Sequence, residues 1–90
     1  MSAKRYIVRG RVQGVGYRYF AQGAAERLGV TGFVRNLPNG DVEVQGEADH
    51  ATLEVFKVEL ERGPRLARVT EIIESDIPSP GVYSAFLIRG

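Results

Sequence analysis

The middle of the chain most constrains the fold. Residues 30–36 and 42–47 each read as a strand, and Leu37-Pro38-Asn39-Gly40 separates them. Asn-Gly is the pair a tight hairpin turn favours, because its central positions need positive φ. In the second run Val42 and Val44 face one way while Asp41, Glu43, Gln45 and Glu47 face the other, so the hairpin has one apolar side. A two-stranded ribbon cannot bury such a side by itself, so the flanking segments must cover it.

Upstream, Tyr6, Val8 and Val12 alternate with Arg9 and Arg11, which predicts a half-buried strand over residues 6–12 with Ile7 out of pattern. Turn-prone residues 13–16 follow. Phe20, Ala21, Ala24, Ala25 and Leu28 then recur at helical spacing, and Gly29 supplies a left-handed stop. Downstream, Asp49 is placed to cap a second helix carrying Leu53, Phe56 and Leu60, ended by Gly63 and Pro64. Residues 66–74 and 82–88 read as further strands, with Pro78, Pro80 and Gly81 breaking the path between them.

The order is thus βαββαβ plus a short terminal strand. A right-handed crossover through the first helix makes strands one and two parallel and leaves strand three to insert antiparallel between them. This predicts an α+β, ferredoxin-like sandwich with two helices on one face of a mainly antiparallel four- to five-stranded sheet. The C-terminal ends of strands one and two then share one sheet edge, roughly 9 to 10 Å apart across two strand spacings. Residues 13–18 and Asn36 meet there, where a layered fold carries its functional loops.

Composition narrows the classes of function. A chain of 90 residues with 43% hydrophobic content suits one compact domain over residues 1–90. A formal charge of +1 is too balanced for broad attraction to nucleic acid or an anionic membrane, so any anion recognition has to be local. The absence of Cys removes disulfides, thiolate nucleophiles and Cys-rich metal sites, and fits a cytoplasmic setting. The first apolar run is too short, and too interrupted by Arg9 and Arg11, for a signal segment or a membrane span. His50 is the single histidine and reads as a solvated residue beside a helix cap, so no metal site is expected. Asp41, Glu43 and Glu47 read as a wet strand face rather than a catalytic carboxylate pair. Tyr6, Phe20, Phe33, Phe56 and Phe86 read as core. Arg35 is expected on the face opposite Asn36, as a surface or substrate-entry charge.

The loop Gln13-Gly14-Val15-Gly16-Tyr17-Arg18 places two glycines at a strand-to-helix junction. Amides there lack intrahelical partners and the helix dipole favours an anion. No Lys-Ser/Thr pair ends the loop, so no nucleotide or magnesium role follows from it. Arg18 falls in the first turn, where a cation opposes the dipole but its planar fork suits two phosphate oxygens. The residues alone leave equally open a plain surface arginine lying along the helix.

The segment Gly10-Arg11-Val12-Gln13-Gly14-Val15-Gly16-Tyr17-Arg18 resembles the N-terminal signature of the acylphosphatase family, GxVQGVxFR with Tyr for Phe. Gly32-Phe33-Val34-Arg35-Asn36-Leu37-Pro38-Asn39-Gly40-Asp41-Val42, followed by Gly46, resembles the family's second signature, and the likeness in order and length covers essentially the whole chain. The resemblance implies hydrolysis of small acyl phosphates, such as carbamoyl phosphate, acetyl phosphate or 1,3-bisphosphoglycerate, without metal or cofactor. Arg18 and Asn36 would be the catalytic pair. Arg18 and the amides from Val15 to Arg18 would bind phosphate, Asn36 would orient water, and Gln13 and Gly14 would shape the loop. The phosphate-binding segment is therefore Gln13, Gly14, Val15, Gly16, Tyr17 and Arg18.

Two readings compete. An RNA-recognition module shares the βαββαβ order, yet strand three shows carboxylates where aromatic and basic residues belong. An anion sensor, or an acylphosphatase-like part of a larger enzyme, would keep the fold and the loop. No nucleic-acid or membrane partner is expected, and the default state is a monomer, with Phe86-Leu87-Ile88 as a candidate exposed edge.

Overall fold

The protein is described by a computed structural model covering residues 1–79, 81 and 83–90. Its elements are β1 (Ser2–Arg11), α1 (Tyr17–Leu28), β2 (Thr31–Asn36), β3 (Val42–Ala48), α2 (His50–Arg62), β4 (Arg68–Ile77) and β5 (Phe86–Arg89). The sheet runs β4-β1-β3-β2-β5. β3 lies antiparallel between β1 and β2, β4 is antiparallel to β1, and β5 is parallel to β2. The expected ferredoxin-like arrangement is therefore present, with a parallel fifth strand added beside β2.

Both helices cover the sheet face carrying Tyr6, Val8, Val34, Val42 and Val44, and they contribute Ala21, Ala24, Leu53, Phe56 and Leu60 to the same buried cluster. Phe56 sits edge-on to Tyr6 and to Phe86, with ring centroids 6.0 Å apart in each pair. Such edge-to-face pairs are favoured by the ring quadrupoles. The close approach of α2 depends on Gly46 in β3: a Cβ there would lie 3.0 Å from Val30 Cγ1 and 3.2 Å from Phe56 Cε2. α2 begins where Asp49 accepts a hydrogen bond from the Thr52 amide at 2.8 Å, and it stops at Gly63, as the sequence suggests.

Several boundaries differ from expectation. β1 begins at Ser2 rather than Tyr6, because it is paired on both sides: Ser2 and Ala3 find partners in β3, and Ala3 also pairs with Ile77 of β4. The charges in this extension are neutralised in place, Lys4 by Glu74 and Asp76 and Arg5 by Glu43. β4 starts at Arg68, leaving Leu66 69% exposed before it. The expected terminal strand begins at Val82, which lies outside the described residues, as does Pro80; the ladder itself is Phe86–Arg89. Phe20, expected in the core, is only half-buried, and the Arg62 guanidinium lies 5.7 Å from its ring centre.

The largest correction concerns the carboxylates of β3. Glu43 and Glu47 were expected on a wet face, and they are 2% and 7% exposed. The strand is central, so long side chains from both neighbours roof it. Arg5 of β1 donates to Glu43 Oε2 at 2.6 Å, Arg35 of β2 donates to Oε1, and Gln45 adds a third contact at 3.3 Å. The Gly81 amide donates to Glu47. Period-two alternation separates two sheet faces but does not say whether arginine stems will cover one of them. Burial alone would push the Glu43 carboxyl upward; the hydrogen bonds from Arg35, Arg5 and Gln45 outweigh it and hold the group below its ordinary value of 4.5.

Candidate active site

β1 delivers the chain into a loop whose turns are made by Gly14 and Gly16, with φ of 74° and 80°. A Cβ at either would meet nothing within 4 Å, so the backbone conformation, rather than crowding, calls for glycine. Gly16 is the N-cap of α1 and supplies no side-chain cap, and no acidic residue stands in the first turn. The amides that open α1 therefore have neither an intrahelical acceptor nor a capping carboxylate. α2 is the internal contrast, since its own Asp49 already fills that role. The positive end of α1 is thus left available to an external anion.

A cavity of about 100 Å³ sits at this helix start, with Gly14, Gly16, Tyr17, Arg18, Tyr19 and Asn36 among its lining residues. Asn36 is the last residue of β2, paired with Val42 of β3, and so stands at the sheet edge across from the loop. Its side-chain Oδ1 is the one buried side-chain polar atom among the described residues without a hydrogen-bond partner. Leaving a buried acceptor unpaired costs about 1–3 kcal/mol. The carboxamide is accordingly not consumed by the scaffold. Arg18, half-buried in the first turn of α1, donates from Nη1 to the Arg89 carbonyl at 3.1 Å, which leaves further donors of its fork unassigned.

The six loop residues separate by task. Gly14, Gly16, Tyr17 and Arg18 line the cavity. Val15 packs against the apolar cluster instead. Gln13 turns its side chain away to the β2–β3 hairpin, where Nε2 donates to the Leu37 and Asp41 carbonyls, each at 2.8 Å. Tyr17 sends its ring into the core, 1% exposed, and its hydroxyl donates to the Leu60 carbonyl at 2.7 Å. Burial pushes that hydroxyl's pKa up, so it remains protonated. Tyr17 can therefore offer the cavity only its backbone. Arg35 points to the opposite face and binds Glu43, as strand alternation requires.

Three features escaped the sequence. Tyr19 lines the cavity and is 77% exposed; its position off the Phe20–Ala21–Ala24 stripe could have revealed it. The Arg89 carbonyl that steadies Arg18 depends on β5 lying beside β2, and no local pattern announces that pairing. The hairpin carbonyls that hold Gln13 are backbone atoms and carry no residue signature. A larger hollow of about 420 Å³ near Met1 and His50 holds no comparable arrangement, since the helix start there is capped by Asp49. Among the described residues no group of three or more His, Cys, Asp or Glu gathers as metal ligands, and no helix is long and apolar enough to cross a membrane.

An open helix N-terminus, an arginine and a free carboxamide thus stand together at one edge of a small ferredoxin-like α/β sandwich, a set of groups whose chemistry suits an anion. The acylphosphatase family model matches residues 4–88, and the chain belongs to that family. It is 54% identical over 66 residues to the acylphosphatase of Thermus thermophilus, covering 73% of this chain and 75% of that one. It is 48% identical to the acylphosphatase of Solibacter usitatus over 97% of this chain and 90% of that one. The crystal structure of acylphosphatase from Bacillus subtilis superposes with a TM-score of 0.96 at 36% identity, covering both chains in full.

Proposed function

We propose that this protein hydrolyses the carboxyl–phosphate bond of small acyl phosphates to a carboxylate and inorganic phosphate, with Arg18 and Asn36 as its catalytic side chains. The observation that carries the proposal is the unpartnered Asn36 Oδ1 beside the same cavity as Arg18 and the uncapped amides of α1. Family membership and the activity named for its relatives support the substrate class.

In this reading the phosphoryl oxygens sit against the amides that open α1 and the free donors of Arg18. Water approaches from the Asn36 side. The carboxamide oxygen accepts one water proton in a hydrogen bond and so turns a lone pair toward phosphorus. The water oxygen–phosphorus bond forms while the phosphorus–oxygen bond to the acyl group breaks in line, and the carboxylate departs with the bonding pair. It is a good enough leaving group to need no proton. Asn36 is not a base, so the water proton passes to a phosphate oxygen. Of the lining residues named above none is Asp, Glu or His, and Tyr17 is tied to Leu60. Positioning and charge stabilisation carry phosphoryl transfer, and the amides and Arg18 supply both. The reading therefore has turnover independent of divalent cations.

The test is hydrolysis of benzoyl phosphate in excess chelator, with a phosphate monoester as control. Asn36→Ala is expected to abolish turnover and keep inorganic phosphate binding, whereas Arg18→Ala loses both. Unchanged phosphate affinity in the Arg18 variant would refute its role. Phosphate binding without any turnover by the folded wild-type protein would replace the enzyme with a sensor.

A further inference from the structure

The catalytic pair stands on two separate pieces of backbone. Arg18 belongs to the loop and first turn after β1, while Asn36 ends β2 just before the hairpin. No ladder joins β1 directly to β2, because β3 lies between them. Something has to set the distance between the phosphate loop and the residue that aims the water, and strand pairing stops short of it. β1 pairs with β3 only as far as Val8↔Val42, four residues before Val12.

Arg9 of β1 reaches the Asp41 carboxylate at 3.2 Å, and from the loop itself the Gln13 side chain spans that gap. Gln13 Nε2 donates at 2.8 Å to the carbonyl of Leu37, the residue after Asn36, and at 2.8 Å to the carbonyl of Asp41, on the return side of the hairpin. The same two residues close the hairpin on themselves, with the Leu37 amide donating to the Asp41 carbonyl at 2.8 Å and the Gly40 amide to the Leu37 carbonyl at 3.1 Å. Gln13 thus uses both protons of its amide nitrogen on the two carbonyls that define the neck of the hairpin. A carboxamide suits the task because a single nitrogen offers two donors. That nitrogen then has no proton left for phosphate.

We infer that Gln13 is a positioning residue for the proposed reaction: it is the strut that holds Asn36 in register with the phosphate loop, and its side chain is not a phosphate ligand. The inference rests on the acylphosphatase reading above. Its energetic logic is that of alignment. The phosphate is held by amides and Arg18, which do not need the hairpin, so ground-state phosphate binding survives loss of the strut. The attack geometry does not survive, because displacing a catalytic group by about 1 Å can cost on the order of 100-fold in rate.

The experiment compares kcat for benzoyl phosphate with the inhibition constant of inorganic phosphate in wild type, Gln13→Ala and Gln13→Glu. Glutamate keeps the shape but, when ionised, has no proton to donate and faces two carbonyl oxygens. The expected result is a kcat lower by about 10- to 100-fold, with Gln13→Glu at least as impaired as Gln13→Ala, and a phosphate constant within about threefold of wild type. Weakened phosphate binding in step with kcat would make Gln13 a ligand and overturn the inference, as would an unchanged kcat. Should both variants fail to fold, hydrogen exchange of the Gln13 side-chain amide in the wild-type protein decides: protection is expected, and exchange at the rate of a free glutamine overturns the strut. Inactivity of the wild-type protein toward every acyl phosphate would be a different failure, that of the proposed function.

Discussion

Replacing Tyr17 by Phe removes one oxygen atom and tests whether this residue serves the site or the scaffold. The Leu60 carbonyl lies near the C-terminal end of α2, and the amide that would continue its ladder belongs to residue 64, which is Pro64 and has no proton. The last cap contact of α2 is made by the Gly63 amide to the Glu59 carbonyl at 3.0 Å. The Tyr17 hydroxyl, at 2.7 Å, is therefore the partner of a carbonyl that the helix itself leaves open. Deleting it strands a buried acceptor, a loss of about 1–3 kcal/mol. For a domain of this size each kcal/mol moves the midpoint by about 4–8 °C, so a 2 kcal/mol loss lowers Tm by about 8–16 °C. Because the Tyr17 ring is buried and its hydroxyl is bound to the Leu60 carbonyl, kcat and phosphate inhibition measured well below Tm should stay within about twofold of wild type. A Tm within about 2 °C of wild type would refute the capping argument. Impaired phosphate binding at an unchanged Tm would show that the hydroxyl serves the anion instead.

Stability should fall in acid through groups held by cations. The Glu43 carboxyl is lowered in the folded protein despite its burial, and Glu74 is lowered by hydrogen bonds from Lys4 and Lys57. A depressed folded-state pKa stabilises above the unfolded value, ordinarily 4.5, and that stabilisation is lost as pH falls through the folded value. Urea unfolding from about pH 6 down to pH 3 should show stability declining at the acid end, with a shallower decline in Glu43→Gln; parallel curves would exclude Glu43 as a contributor. Tyr19 stands exposed at the cavity wall, so Tyr19→Ala should raise KM for benzoyl phosphate by about 3- to 10-fold through lost aromatic contact while leaving acetyl phosphate nearly unchanged. An equal change for both substrates would place the effect on phosphate binding.

The local grammar of this chain was legible residue by residue. Gly29 and Gly63 end the helices and Asp49 caps one of them, because each answers to backbone constraints acting over a few residues. The hairpin was placed correctly but turns on Pro38-Asn39, with the Gly40 amide bonded to the Leu37 carbonyl and positive φ at Gly40 rather than at Asn39. Asn36 and residues 13–18 could be brought to one edge from element order alone, since a right-handed crossover leaves one place for strand three. What the sequence did not carry was anything decided by the neighbour across the sheet. Alternation placed Glu43 on the correct face, but only the flanking strands bring Arg5 and Arg35 over it. The loop motif gathered six residues into one phosphate-binding segment, whereas the folded chain divides them: Gly14, Gly16, Tyr17 and Arg18 at the cavity, Val15 on the core, Gln13 on the hairpin. By itself the sequence determined which elements form, their order and which edge gathers the candidate site residues, because turns, caps and periodicity are short-range. The tertiary structure decided which polar groups are spent on the scaffold and which are left for chemistry, because that depends on hydrogen-bond partners separated by 24 to 71 residues along the chain.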